Sequence, residues 1–279
     1  MIIDSHHHFW KYNPVEYDWI DDSMKNIRTD FLPEKLERTI REAGVDGVIS
    51  VQARQSVEEA NWLLEMARQN KFMKGVVGWL PLMNDDIDVY LEKYSAEALL
   101  KGLRHVIQGE PDPDFILRSD FNRGISLLKK YSLAYDILVV EHQLSNTIKF
   151  VNQHPDQVFV LDHIAKPLIG KNELSPWRAN IQELAKRGNV NCKISGMVTE
   201  AGFDSWTPQQ LQPYFEVILE AFGPDRLLFG SDWPVCLVAT TYKDWVDLVR
   251  KNIASYSETE QAKIMGGNAV RIYALNCEQ

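Results

Sequence analysis

The apolar stretch that opens the chain ends in three consecutive histidines, Ile3-Asp4-Ser5-His6-His7-His8. In an extended strand successive side chains point to opposite faces, so His6 and His8 share one face and His7 takes the other. Two imidazoles on one face can hold a common ligand. A tag remnant would be longer and would not continue an apolar strand. His163 closes a second apolar run, Val158-Phe159-Val160-Leu161-Asp162-His163, and the same alternation turns it away from Asp162. Asp232 closes a third run, Leu227-Leu228-Phe229-Gly230-Ser231-Asp232. Alone, such an aspartate is better explained as a helix cap or a structural ion pair. Together, His6, His8, His163 and Asp232 suit one divalent ion such as zinc, with a position left for water or substrate.

Side chains this far apart in sequence converge only if the fold brings them together. Short apolar runs near residues 2–8, 45–52, 73–80, 100–106, 133–140, 158–163, 190–195 and 226–232 read as eight strands. Helical segments alternate with them, started by Pro33, Ser56-Val57-Glu58-Glu59, Thr207-Pro208-Gln209-Gln210 and Ser257-Glu258-Thr259-Glu260. Tight exits at Ala43-Gly44-Val45 and Arg187-Gly188-Asn189 suggest left-handed glycines ending helices. The alternation predicts an α/β fold, a (β/α)₈ TIM barrel, with residues 1–279 as a single domain. Long connections at 9–32, 164–176 and 196–208 follow the first, sixth and seventh strands, on the face where barrels carry their active sites. No G-x-G-x-x-G or P-loop supports an open doubly wound sheet instead. His6, His7, His8, His105, His142 and His163 all stand at or just beyond strand ends, which in a barrel meet at one mouth; only His154 lies elsewhere. A closed barrel pairs the last strand with the first, bringing Asp232 beside His6 and His8.

Composition narrows the class of function. The net charge of −9 and the lack of a basic stripe argue against a nucleic-acid partner. No apolar run approaches the ~20 residues that cross a bilayer, and Ile2-Ile3-Asp4 is not a signal peptide. Cys192, Cys236 and Cys277 are an odd number without C-x-x-C spacing, so neither a disulfide framework nor a thiolate zinc site is expected. The expectation is a cytoplasmic enzyme of small-molecule substrates, with a homo-oligomer compatible with the sequence.

The motifs His6-His7-His8-Phe9-Trp10, Leu161-Asp162-His163-Ile164-Ala165-Lys166-Pro167, Lys193-Ile194-Ser195-Gly196 and Gly230-Ser231-Asp232-Trp233-Pro234 occur in this order across nearly the whole chain. They resemble the amidohydrolase superfamily, and within it the sugar-lactone hydrolase branch. The resemblance implies a barrel with the histidine pair on the first strand, a histidine on a middle strand and an aspartate on the eighth. The fourth strand reads Gly102-Leu103-Arg104-His105, without the bridging lysine or glutamate of two-metal members, so one ion at most is expected. In the lactonase branch the metal can be dispensable, the histidines then binding substrate directly.

The implied reaction opens an aldonolactone, such as L-fucono- or L-rhamnonolactone, by water attack on the carbonyl. It needs a base for the water, positive charge near the carbonyl oxygen and a proton for the leaving alkoxide. Asp232 can act as base and then as acid. Lys193, first because it alternates with Ser195 on one strand face, and Arg104 can polarise the carbonyl; either can instead be a snorkelling or ion-paired lysine or arginine. His105, His142 and Lys166 are placed to recognise hydroxyls or carboxylates, with structural roles equally open. Trp10, with Tyr12, Tyr17 and Trp19, can wall a sugar's apolar face or simply close the long first loop. A metal-dependent C–N hydrolase or decarboxylase of the same superfamily is the alternative. A noncatalytic carbohydrate-binding barrel is the third reading.

Overall fold

A computed structural model describes residues 1–276. Its eight strands among the described residues are β1 Ile3–His7, β2 Gly47–Val51, β3 Met73–Gly78, β4 Leu100–Val106, β5 Ala134–Leu138, β6 Phe159–Leu161, β7 Val190–Ile194 and β8 Leu227–Phe229. Each pairs in parallel with the next in sequence order. Parallel neighbours need a crossover, and the helices supply it: α1 Pro33–Ala43, α2 Val57–Gln69, α3 Ile87–Tyr94, α4 Ser119–Leu128, α5 Leu144–Gln153, α6 Trp177–Leu184, α7 Met197–Ala201, α8 Pro208–Phe222 and α9 Tyr242–Asn252. The ring closes just past β8, where Asp232 N donates to His6 O at 2.8 Å and His8 N to Trp233 O at 2.7 Å. This is the (β/α)₈ barrel expected from the sequence.

The start signals act as read. Pro33 opens α1, Ser56 caps α2 by accepting from Glu59 N, and Thr207 forms a capping box with Gln210 at α8. Ser257 does the same for the short α10, Glu258–Ala262. Gly44 ends α1 with φ of 68°. Gly188 is not left-handed: α6 has already ended at Leu184, and the chain turns through Val190 N donating to Arg187 O at 3.1 Å.

Alternation fills the barrel's interior with Ile3, Ile49, Val77, Ala134, Val160 and Leu228. Beyond α10, a π-turn at Lys263–Gly267 and α11, Asn268–Ile272, bring Ala269, Tyr273 and Leu275 into the same cluster, closing it at the base. Cys192 and Cys236 are buried free thiols, and Cys277 lies outside the described residues. Among the described residues no helix is long and apolar enough to cross a membrane.

Candidate functional site

β1 places its histidines as strand alternation requires. His6 Nε2 and His8 Nε2 are 3.1 Å apart, whereas His7 faces outward, with Nε2 2.8 Å from Ser50 Oγ and its ring packed edge-on against Phe9. Asp4, fully buried, joins β1 to the segment after β8. It accepts from Ser231 Oγ at 2.6 Å, Ser231 N at 2.8 Å and Tyr242 Oη at 3.0 Å. That clamp delivers Asp232, itself left-handed with φ of 59°, to the histidines. Asp232 Oδ1 lies 3.8 Å from His6 Nε2, 3.5 Å from His8 Nε2 and 3.9 Å from His163 Nε2. The approach leaves no room for a side chain at Gly230, where a Cβ would stand 2.9 Å from His6 Cβ.

Around His163 the sequence reading of the local geometry fails. Strand β6 stops at Leu161, and His163, Ile164, Ala165 and Lys166 all have positive φ, 46° to 60°. Alternation no longer applies, so Asp162 and His163 both turn inward. His163 Nδ1 sits 2.9 Å from Ser195 Oγ and packs over Gly196, where a Cβ would come within 2.7 Å of Nδ1. Gly196 has φ of 66°, so glycine there meets both a backbone and a space requirement.

Beneath the histidines lies a buried ionic network, in which Lys193 and Arg104 take the ion-paired alternative left open by the sequence and whose other members sequence reasoning missed. Asp162 Oδ2 accepts from Arg104 Nη1 at 2.9 Å, and its Oδ1 lies 3.0 Å from Lys193 Nζ and 3.3 Å from His6 Nδ1. Lys193 Nζ also donates to Asp136 Oδ2, whose Oδ1 accepts from Tyr273 Oη at 2.7 Å. An aspartate inside the apolar run Ala134-Tyr135-Asp136-Ile137-Leu138 was the available signal for Asp136; Tyr273 carried none. Burial works against charge on Asp162, but Lys193, His6 and Arg104 hold its carboxyl well below the usual range. Burial drives His6 well below an ordinary histidine, with Lys193 adding to the effect, and lowers His163 to about 4. Both imidazoles are therefore neutral near pH 7. Burial pushes Asp232 up, but His163 and His8 more than offset it, leaving its carboxyl below the usual value and ionised.

Above the network opens a cavity of about 840 Å³, within the ~300–1,000 Å³ range of small-molecule sites. His8, His163 and Asp232 form its floor, with Arg104 and Lys166 beside them. The other candidates lie elsewhere. Lys193 is fully buried and outside the lining, held by two carboxylates. His105 is stacked on Phe115 and bound between Trp79 Nε1 and Glu110 Oε1. The His142 side chain is 69% exposed, away from the cavity lining. Trp10 is buried with Nε1 donating to Thr29 O, packed against Tyr17, Trp19 and Phe31; of the four loop aromatics only Trp19 reaches the cavity. The first loop thus uses its aromatics mainly to close on itself.

The donor set fits a metal ion. His6 Nε2, His8 Nε2 and Asp232 Oδ1 lie 3.1 to 3.8 Å from one another. Atoms ~2.0–2.1 Å from a tetrahedral zinc stand about 3.4 Å apart. His8 Nδ1 donates to Val51 O at 2.9 Å, which fixes its tautomer and leaves Nε2 as a lone pair. His6 has partners for either tautomer: Asp162 accepts from Nδ1–H, or Lys193 donates to a bare Nδ1. With the first, Nε2 is free to ligate; with the second, Nε2–H bonds to His8. Arg104 Nη1 lies 3.3 Å from the same His6 Nε2, a fixed positive charge beside that donor.

A family model described as amidohydrolase matches residues 3–275. An L-fucono-1,5-lactonase of Burkholderia multivorans is 37% identical, the alignment covering 98% of this chain and 96% of that protein. An L-fucono-1,5-lactonase of Burkholderia ambifaria is 30% identical over the same shares. The crystal structure of an amidohydrolase from Burkholderia multivorans with bound zinc superposes with a TM-score of 0.96 at 37% identity, covering 99% of this chain and all of that one.

Proposed function

The chain belongs to the amidohydrolase family, and on that premise we propose that it is a lactonase, opening a sugar lactone such as L-fucono-1,5-lactone to its acid. One observation carries this reading: on the floor of a cavity of small-molecule size stands a charged carboxylate, Asp232, whose Oδ1 is 3.5 to 3.9 Å from the imidazoles of His6, His8 and His163.

In the proposed reaction the lactone carbonyl lies over Asp232, with a water between them. Asp232 removes a proton as the water oxygen bonds to the carbonyl carbon, and the tetrahedral oxygen becomes negative. Arg104 is the protein group for that charge. It lines the cavity and brings a fixed positive charge to it. Collapse breaks the acyl C–O bond, and Asp232 returns its proton to the departing ring oxygen, leaving an alcohol and a carboxylic acid that loses its remaining proton to solvent as a carboxylate. Lys193, the first choice from the sequence, is enclosed by Asp136 and Asp162, so it does not touch substrate; it holds Asp162, which accepts from His6 Nδ1–H in the tautomer that leaves Nε2 free. Lys166 is placed for the substrate's hydroxyls. One zinc ion held by His6, His8 and Asp232, with His163 alongside, would supply Lewis-acid polarisation of the carbonyl and a lower pKa for the attacking water. Residues 1–279 are proposed to work as one domain.

The test is a pH-indicator screen against a panel of aldonolactones, with metal content measured on the same preparation. Acid release without carbon dioxide or ammonia is expected. Turnover confined to amides, or to carboxylic acids losing carbon dioxide, would replace this reading with another of the family's chemistries.

A further inference from the structure

Among the described residues three cations line the cavity, and each already faces a carboxylate. Arg54 Nη2 lies 3.0 Å from Glu16 Oε1, Arg104 Nη1 2.9 Å from Asp162 Oδ2, and Lys166 Nζ 3.8 Å from Glu200 Oε1. Four carboxylates share the lining: Glu16, Asp18, Glu200 and Asp232. Asp18, exposed at the rim, makes no ion pair among the described residues. No cation is therefore left uncommitted for a ligand's carboxylate, and the lining carries more negative than positive groups.

Resting on the lactonase reading, we propose that this lining is a charge filter and that Glu200 is its specificity-determining residue. By occupying Lys166, Glu200 restricts the site to uncharged lactones and disfavours both carboxylated lactones and the carboxylate product. Position makes Lys166 the decisive cation. It follows His163 by three residues in the left-handed run after β6, and its charge acts on both His163 and Asp232. Glu200 reaches it from α7, the helix that starts immediately after Gly196. The pair is partly sheltered, with side chains 23% and 26% exposed, so water weakens its field without abolishing it. The reaction itself makes the filter useful. A neutral substrate becomes an anion on a floor where Asp232 has just regained its charge, and repulsion then favours product departure over rebinding.

Inhibition constants test the proposal. L-Fuconate and D-glucaro-1,4-lactone, a carboxylated lactone, are measured as inhibitors of L-fucono-1,5-lactone hydrolysis by wild type, Glu200→Gln and Lys166→Met, with melting curves confirming folding. Glu200→Gln is expected to bind both anions about tenfold more tightly relative to the KM of the neutral lactone, the scale of one unit charge several ångströms away near a protein surface. Lys166→Met is expected to shift the ratio the other way, which keeps the test decisive if Glu200→Gln does not fold. Both shifts should shrink with added salt. An unchanged ratio in both variants, or a wild type that binds the carboxylated lactone as tightly as the neutral one, overturns the filter. A wild type that turns over no lactone removes the lactonase reading and the filter together, whereas turnover with unmoved ratios removes the filter alone.

Discussion

Asp232→Asn keeps the side chain's shape and an oxygen at the position of Oδ1 but cannot take a proton from water and return it to the ring oxygen. The structure sets the size of the loss. The groups nearest Asp232 are poor substitutes for the base: burial holds His6 well below an ordinary histidine and His163 at about 4, so both are weak bases, and Asp162 is committed to Arg104 and Lys193. Positioned acid–base catalysis contributes roughly 10² to 10⁴ in rate, or about 3–5 kcal/mol of barrier. The kcat of Asp232→Asn on its best lactone should therefore fall at least about 10²-fold. Indicator-monitored hydrolysis, corrected for the uncatalysed rate, gives kcat and KM; circular dichroism and melting curves show that the variant is folded. A folded variant retaining more than about a tenth of wild-type kcat would refute the assignment.

Lys193→Met leaves Asp136 and Asp162 buried without their shared cation, and breaking a buried pair costs about 3–5 kcal/mol, so Tm should drop on the order of 10 °C; a drop under about 2 °C would mean that the network is not charged as described. In pH–rate profiles Asp232, with its lowered pKa, and His163, lowered to about 4, both lose their working forms only as pH falls through their depressed values. The acid limb of kcat/KM should accordingly lie near or below 4. A limb near 6.5, where an unperturbed histidine titrates, would contradict it. Zinc-loaded protein should hold one ion per chain by elemental analysis, and His8→Ala should lose it; two tightly held ions, or full retention in the variant, would contradict the donor set.

The fold was legible because strands and their crossovers leave a strong periodic signal, and all eight strands lie where the apolar runs stand. The floor of the site was legible where the chain remains a strand, as at His6 and His8. It was misread where the strand stops: the four successive residues of positive φ from His163 to Lys166 bring His163 inward beside Asp162, a conformation that residue types alone do not announce. Lys193 reads from the sequence either as a carbonyl-polarising or as an ion-paired lysine, because alternation gives only the face and not the depth; at full burial it pairs with carboxylates from neighbouring strands instead of facing the cavity. Trp10 and His105 were conspicuous by type and position, yet their hydrogen-bonding groups are taken by Thr29 O and by Trp79 and Glu110. Glu200 escaped notice because its partner, Lys166, comes from a loop 34 positions earlier, a pairing set by tertiary structure.

Water attack at the carbonyl is the centre of the account, and isotope labelling reads it directly. L-Fucono-1,5-lactone is hydrolysed by the enzyme in H₂¹⁸O, at enzyme concentrations where the uncatalysed reaction is minor, and the acid is analysed by mass spectrometry. The expected product carries one ¹⁸O in its carboxylate and none in the newly freed hydroxyl. Label in the hydroxyl, or no enzymatic acceleration above buffer, would contradict the account.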